Sequence, residues 1–325
     1  MKAIAFDHYG PPEVLHLIEM EKPSPANNEL LIKVHATAVN SGDIRMRKAD
    51  PFLVRFMLGL FRPAKKVMGL VFAGEVESVG KDVTKFQKGD KVYGTSMVKF
   101  GANAEYLCLP ESGIVARKAE SLTFEEAAVI PFGGSTALHF LRIAEAGPGK
   151  KILVYGASGA VGTATVQLAK YYGAEVTGVC STSNIGLVRS LGADHVIDYT
   201  KEEFTARHQE YDIIFDTVGK SPFSASVRAL KKNGFYLRAV HLSASAILRG
   251  LWVNITSNRK VVGGVAKESP DDLVFLNQLI QNGQFRPVID KTFALTEMVE
   301  AHRYVEQGHK KGNVAVAVSS SSSSK

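Results

Sequence analysis

Residues 151–162, Lys-Ile-Leu-Val-Tyr-Gly-Ala-Ser-Gly-Ala-Val-Gly, constrain the fold more than any other stretch. Ile152, Leu153, Val154 and Tyr155 form an unbroken apolar run bounded by polar and glycine residues, the pattern of a strand buried on both faces of a parallel sheet. Gly156, Gly159 and Gly162 follow at spacings of three. This departs from G-x-G-x-x-G but keeps what a dinucleotide-binding turn requires: a tight bend, close backbone approach to a pyrophosphate, and close helix–strand packing. Val161, Ala164, Leu168 and Ala169 then recur at helical spacing, and Gly173 stands where a C-terminal cap is expected. Such a helix offers its first N–H groups to an anion.

Around this turn the pattern alternates. Strands are expected at 175–181, 195–198, 212–216 and 234–239, with helical segments at 184–191 and 202–207, so the middle of the chain reads as βαβ crossovers on a parallel sheet. The first 110 residues differ. Short strands at 3–6, 15–19, 29–39, 71–79, 91–95 and 104–109, separated by Gly and Pro, predict an antiparallel, barrel-like arrangement. A short helix is expected after Ser41, an N-cap type of residue, carrying Ile44, Arg45 and Arg47. Helices at 122–130 and 135–144 lead into the middle, the first opened by a capping box of Thr123 and Glu126. Helices at 270–282 and 296–307 and a strand at 314–318 close the chain.

A chain of 325 residues is long for one core. The fold class is therefore α/β in two domains: residues 1–125 and 266–318 form one, and 126–265 form a nucleotide-binding domain inserted between them. The serine-rich 319–325 is low-complexity and is excluded from the fold.

With 45% apolar and 22% charged residues the composition is that of a soluble globular protein. The net charge of +7 is spread along the chain rather than gathered in a basic stripe. It favours solubility and attraction of an anionic cofactor over nucleic-acid binding. Two cysteines give no disulfide framework and no cysteine-based metal site. No apolar leader and no window of about 20 apolar residues is present, which makes the cytoplasm the default expectation. Residues 51–66, with Phe52, Leu53, Phe56 and Phe61, are apolar on several faces. They read as a substrate-cleft helix, a membrane-surface contact or plain core.

Several motifs occur together: Val39-Asn40-Ser41-Gly42-Asp43, Ala73-Gly74-Glu75-Val76 within 69–80, Gly89-Asp90-Lys91-Val92, Pro131 followed by Thr136-Ala137, the glycines of 156–162, Leu191-Gly192-Ala193-Asp194, and Asp216-Thr217-Val218-Gly219. Taken together they resemble the medium-chain dehydrogenase/reductase superfamily, and within it the zinc-independent quinone oxidoreductase branch, over residues 1–318. The resemblance implies a GroES-like β-barrel catalytic domain and a Rossmann domain, divided as above, and a homodimer. Zinc-dependent relatives carry a cysteine where this chain has Asn40 and a histidine where it has Leu70. Leucine cannot ligate zinc, so no metal is expected.

An NAD-preferring turn is usually followed, about 20 residues on, by an acid that accepts from the ribose hydroxyls. Here no Asp or Glu lies between Val176 and Leu191. Ser181, Thr182 and, one turn further, Arg189 instead suit a 2′-phosphate, so NADPH is expected over NADH. By resemblance, Asn40 lies near the nicotinamide ribose and Thr136 beneath the nicotinamide. Ser158, Ala160 and Val161 lie on the pyrophosphate, Tyr199 at the adenosine end, Val240 and His241 after the last Rossmann strand, and Gly264 and Val265 beside the carboxamide. Asn313 replaces a lysine of many relatives.

Without zinc there is no Lewis acid to polarise an alcohol, whereas hydride transfer to an already electrophilic acceptor needs none. The reading is reduction of a small apolar quinone or of an α,β-unsaturated carbonyl. Asn40 and Asp43 would position ribose and substrate, and Arg47 would steer a carbonyl oxygen; Asp43 also reads as a structural hydrogen-bond acceptor. Two alternatives stand beside it: a catalytically weak NADPH-binding protein with a binding or membrane-surface role, and a zinc-free alcohol dehydrogenase-like protein.

Overall fold

The computed structural model describes residues 1–206, 210–239 and 244–318. In chain order the elements of the first part are β1 (Lys2–Ala5), β2 (His16–Glu19), β3 (Glu29–Val39), α1 (Ser41–Lys48), α2 (Val54–Leu58), β4 (Val71–Val79), β5 (Lys91–Thr95), β6 (Tyr106–Pro110) and β7 (Ile114–Arg117). The middle holds α3 (Phe124–Ile143), β8 (Lys151–Tyr155), α4 (Ala160–Tyr171), β9 (Glu175–Cys180), α5 (Ile185–Ser190), β10 (His195–Asp198), β11 (Tyr211–Asp216), α6 (Phe223–Ala229), β12 (Leu230–Arg238), α7 (Ala244–Thr256) and β13 (Lys260–Gly263). Last come α8 (Pro270–Gln281), β14 (Ile289–Ala294), α9 (Met298–Glu306) and β15 (Asn313–Ala317).

The chain forms two compact units. One comprises Met1–Phe132, Ser269–Gln281 and the chain from Pro287 onward; the other comprises Gly133–Glu268 and Asn282–Arg286. In the first unit the main sheet runs β14-β15-β3-β4-β5-β7, with β6 also paired to β3. Its strands are mostly antiparallel, as the Gly- and Pro-punctuated pattern predicts. Leu30, Ile32 and Val34 of β3 alternate into a core with Phe72, Val76, Val92, Val314 and Val316. The late segments are tied in by side chains: the Tyr93 hydroxyl donates to Leu273 O at 2.8 Å, and Asn277 Nδ2 to Arg117 O at 2.7 Å.

The second unit is a six-stranded, wholly parallel sheet, β10-β9-β8-β11-β12-β13. Ile152, Leu153 and Val154 of β8 are completely buried, which is why its sequence shows no polar alternation.

One expectation needs correction. The two helices expected at 122–130 and 135–144 are a single helix, α3, with Pro131 inside it. The Pro-Phe-Gly-Gly run looks like a break but serves packing: a Cβ on Gly133 would lie 2.6 Å from Ala160 O, so glycine lets α3 approach the start of α4. The capping box at its start is formed, Thr123 N–H donating to Glu126 Oε2 at 2.9 Å and Glu126 N–H to Thr123 Oγ1 at 3.1 Å.

Candidate functional site

In the second unit the glycines of the β8–α4 turn meet three separate demands. Gly156 has φ +82°, a left-handed conformation that favours glycine, and a Cβ there would meet Thr217 Oγ1 and Val218 at 2.8 Å. A Cβ on Gly162 would lie 2.1 Å from Gly156 O and 2.8 Å from Ala157 Cα. Gly159 is the N-cap of α4 and supplies no side-chain acceptor. The first bond of the helix runs from Thr163 N–H to Gly159 O at 2.8 Å, which leaves the N–H groups of Ala160, Val161 and Gly162 ahead of the ladder. The turn is pinned to the neighbouring strand, both Gly156 and Ala157 N–H donating to Val179 O at 3.1 and 3.0 Å. This is a cradle for an anion in which a side chain at Gly156 or Gly162 would clash, and it fits a pyrophosphate.

The second-strand end adds a feature absent from the sequence reading. Asn184, buried at the head of α5, donates from Nδ2 to Ser158 Oγ at 3.1 Å and to Ser181 Oγ at 3.2 Å, joining the glycine turn to the end of β9. Its Oδ1 is buried without a hydrogen-bond partner. Thr182, by contrast, is not free. Its hydroxyl donates to Asp198, which the parallel register of β10 places opposite Cys180. Asp198 also accepts from Thr200 N–H at 3.0 Å and Thr200 Oγ1 at 2.7 Å, with Lys201 Nζ at 3.7 Å. The Thr182 and Thr200 hydroxyls hold its carboxyl down at about 2. An acid therefore does stand beside the β9 end, but it comes from the next strand and its oxygens are already engaged.

Arg189 lies exposed in the last turn of α5, and Tyr199 is exposed just after β10. Gly264 and Val265 follow β13, with open space around Gly264 and Val265 facing solvent. Thr136 lies in the α3 portion of this unit. Val240 and His241 lie outside the described residues.

In the first unit, Asn40 rather than Ser41 caps α1. Asn40 Oδ1 accepts from the N–H of Gly42 at 2.7 Å and of Asp43 at 3.3 Å, and Asp43 Oδ2 accepts from Asn40 N–H at 3.0 Å. Two polar atoms are left over: Asn40 Nδ2 and Asp43 Oδ1 are buried without partners. Asp43 is 1% exposed, and this burial pushes its carboxyl up to about 7. Asn313 is the next residue beyond the Val314–Val39 pair, which brings it level with Asn40 at the strand ends; its own amide donates to Val288 O at 3.0 Å.

Arg47 is a correction. Instead of reaching toward a substrate, it is completely buried and its guanidinium is spent inside this unit. Nε donates to His302 Nδ1 at 3.2 Å, and the terminal nitrogens donate to Gly10 O and the Glu306 carboxylate. It ties α1 to α9. Breaking a buried ion pair on one side costs about 3–5 kcal/mol. Glu306 is only partly buried and has Lys48 Nζ at 3.2 Å as a second partner. Arg47→Met is therefore expected to lower the unfolding free energy by about 2 kcal/mol, measured by urea denaturation; an unchanged midpoint would contradict this role.

Among the described residues no group of three or more His, Cys, Asp or Glu side chains is placed to hold a metal ion.

The comparisons with known proteins agree with one another. Residues 26–121 match the alcohol dehydrogenase GroES-like domain family, and residues 191–316 match a family described as zinc-binding dehydrogenase. The chain is 35% identical over 332 aligned positions to a 2-methylene-furan-3-one reductase of Solanum lycopersicum, covering 97% of this chain and 79% of that one. It is 34% identical, with the same coverage, to an NADPH-dependent alkenal/one oxidoreductase of Arabidopsis thaliana. A solved quinone oxidoreductase from Coxiella burnetii is 33% identical and superimposes with a TM-score of 0.90 over 98% of this chain and 99% of that one. Glycine turn, parallel sheet, antiparallel barrel and near full-length similarity converge, and the chain belongs to the medium-chain dehydrogenase/reductase superfamily, in its quinone oxidoreductase-like branch.

Proposed function

We propose that this protein is an NADPH-dependent reductase that transfers hydride to a quinone or to the carbon–carbon double bond of an α,β-unsaturated ketone or aldehyde. The observation that carries the reading is the glycine-built anion cradle at the start of α4, in a chain whose relatives are named for quinone and enone reduction. When bound, the dinucleotide supplies the hydride. The chain's own residues bind and orient. The N–H groups of Ala160, Val161 and Gly162 would hold the pyrophosphate. Asn40 Nδ2, buried and unpaired, is a donor for a ribose hydroxyl or an acceptor carbonyl, and Asp43 holds Asn40 in place through its backbone, acting as a positioning residue.

NADPH over NADH is favoured by two features of the β9 end. Asp198 is engaged by its own neighbours and does not offer a free carboxylate to a ribose hydroxyl. Ser181 and Arg189 remain as donors to a 2′-phosphate, while Thr182 is withdrawn from that role by its bond to Asp198. Arg189→Ala is expected to weaken NADPH binding roughly tenfold, the worth of one charge-assisted hydrogen bond, and to leave NADH binding unchanged. Fluorescence titration with each nucleotide measures this, and equal losses would contradict it. A homodimer belongs to the same reading: β13 ends the sheet, and its outer main-chain groups are placed to pair with a second copy.

Steady-state NADPH oxidation against a panel of quinones and enones tests the activity. Turnover is expected on at least one class. Tight NADPH binding with no turnover on any acceptor would instead favour the catalytically weak binding protein.

A further inference from the structure

Asn184 stands where it could cap a helix and does something else. It is the N-cap residue of α5, a position at which Asn ordinarily accepts from an N–H two or three residues on, yet its side chain makes no capping bond. The side chain is buried, and its Nδ2 donates instead to two serine hydroxyls: Ser158 Oγ at 3.1 Å, in the glycine turn, and Ser181 Oγ at 3.2 Å, at the end of β9. Turning the amide over would leave two N–H donors buried without acceptors, where now a single oxygen, Oδ1, is orphaned. The direction of both bonds is thereby fixed.

That direction decides what the serines offer. A hydroxyl has one hydrogen, and a serine that receives from Asn184 keeps its own to give elsewhere. Among the described residues Ser158 Oγ has no further hydrogen-bond partner, and Ser181 Oγ has only Ser183 Oγ at a long 3.4 Å. Both serines are half-buried, so both reach the surface. The neighbouring hydroxyl shows the opposite arrangement. Thr182 has the Asp198 carboxylate beside it and gives its hydrogen to that acid. At one strand end, then, an acid draws a hydroxyl hydrogen inward while an amide leaves two free to point outward.

We propose that Asn184 is a positioning residue for NADPH selectivity: by donating to Ser158 and Ser181 it turns the Ser158 hydrogen toward the pyrophosphate and the Ser181 hydrogen toward the 2′-phosphate. The inference rests on the NADPH reading above. Fluorescence titration of the full-length protein with NADPH and with NADH, above neutral pH, reads it. Asn184→Asp keeps the shape but can only accept, so both serine hydrogens turn inward, as that of Thr182 does. NADPH binding is expected to weaken about a hundredfold and NADH binding about tenfold, roughly tenfold for each charge-assisted hydrogen bond lost. The preference for NADPH then falls about tenfold. Asn184→Ala frees the hydroxyls without reversing them, and its loss of NADPH binding is expected to stay below about tenfold. Repulsion by the new carboxylate would also weaken NADPH, so Ser181→Ala separates charge from direction, and it decides the matter alone if thermal melting shows Asn184→Asp to be unfolded. It is expected to cost NADPH binding about tenfold with Asn184 present and about twofold in the Asn184→Ala background. Equal costs in the two backgrounds, equal losses for Asn184→Ala and Asn184→Asp, or an unmoved preference in Asn184→Asp would each overturn the proposal. A parent that prefers NADPH and shows any of these results overturns this inference alone; a parent that binds both nucleotides equally overturns the NADPH reading with it.

Discussion

Gly162→Val is expected to cost about 4 kcal/mol or more, the exceptional end of single substitutions, and to abolish nucleotide binding. The reason is where the first added atom would go. A Cβ at 162 lies 2.1 Å from Gly156 O and 2.8 Å from two backbone atoms of Ala157, so no side-chain rotamer relieves the overlap. Either α4 moves away from β8 or the turn opens, and both destroy the cradle. Gly186→Ala is the control. It lies in α5 of the same unit, nothing approaches its Cβ position within 4 Å, and alanine there is expected to be neutral or to stabilise by about 0.5–1 kcal/mol. Thermal denaturation and NADPH fluorescence titration of both variants measure the contrast. A Gly162→Val protein that melts and binds like the parent would remove the basis for the turn's assignment.

The second large effect is in the pH dependence of stability, and it arises from two buried groups of opposite sign. Asp43 has an ordinary value of 3.8, and burial raises it to about 7 in the folded protein. Between these values the folded state keeps a proton that the unfolded state has released, so this group favours folding below about pH 4 and its contribution is lost as pH rises to 7. His302 does the reverse. Burial first, and then the neighbouring Arg47 guanidinium, lower it from 6.5 to about 3. Its contribution is present above pH 6.5 and is lost as pH falls toward 3. At about 1.4 kcal/mol for each pH unit between folded and unfolded values, each is worth about 4 kcal/mol, and over the shared window they nearly cancel. Asp43→Asn is expected to leave the His302 dependence unopposed: the variant loses about 3 kcal/mol on acidification from pH 6.5 to pH 4, where the parent changes much less. Urea denaturation at stepped pH measures the difference, and parallel curves for parent and variant would contradict it.

What the sequence disclosed depended on how local the cause was. β3, β4 and β5 were legible to the residue, because alternation and flanking Gly and Pro fix a strand from its neighbours alone. The cradle was legible for the same reason. The continuity of α3 was not, since Gly133 is required by the approach of Ala160, which lies far along the chain. Arg47 looked like a site residue on the short helix after Ser41, yet its partners His302 and Glu306 lie 255 and 259 residues away. Asp198 escaped a search for an acid near the end of β9 because a parallel sheet delivers the neighbouring strand's end to the same place.

The main sheet of the first unit carries a consequence for how the chain is made. β3 pairs with β4, β6 and β15, and β15 is translated only after the whole second unit. During synthesis Ala36–Val39 of β3 must therefore wait unpaired beside the part of that flank already covered by β6, while nearly all of the parallel unit is available to fold behind them. Slow translation through the middle of the gene would prolong the exposure of those residues, because the ladder from Val314–Val39 to Ala317–Ala36 closes only after the second unit has been made.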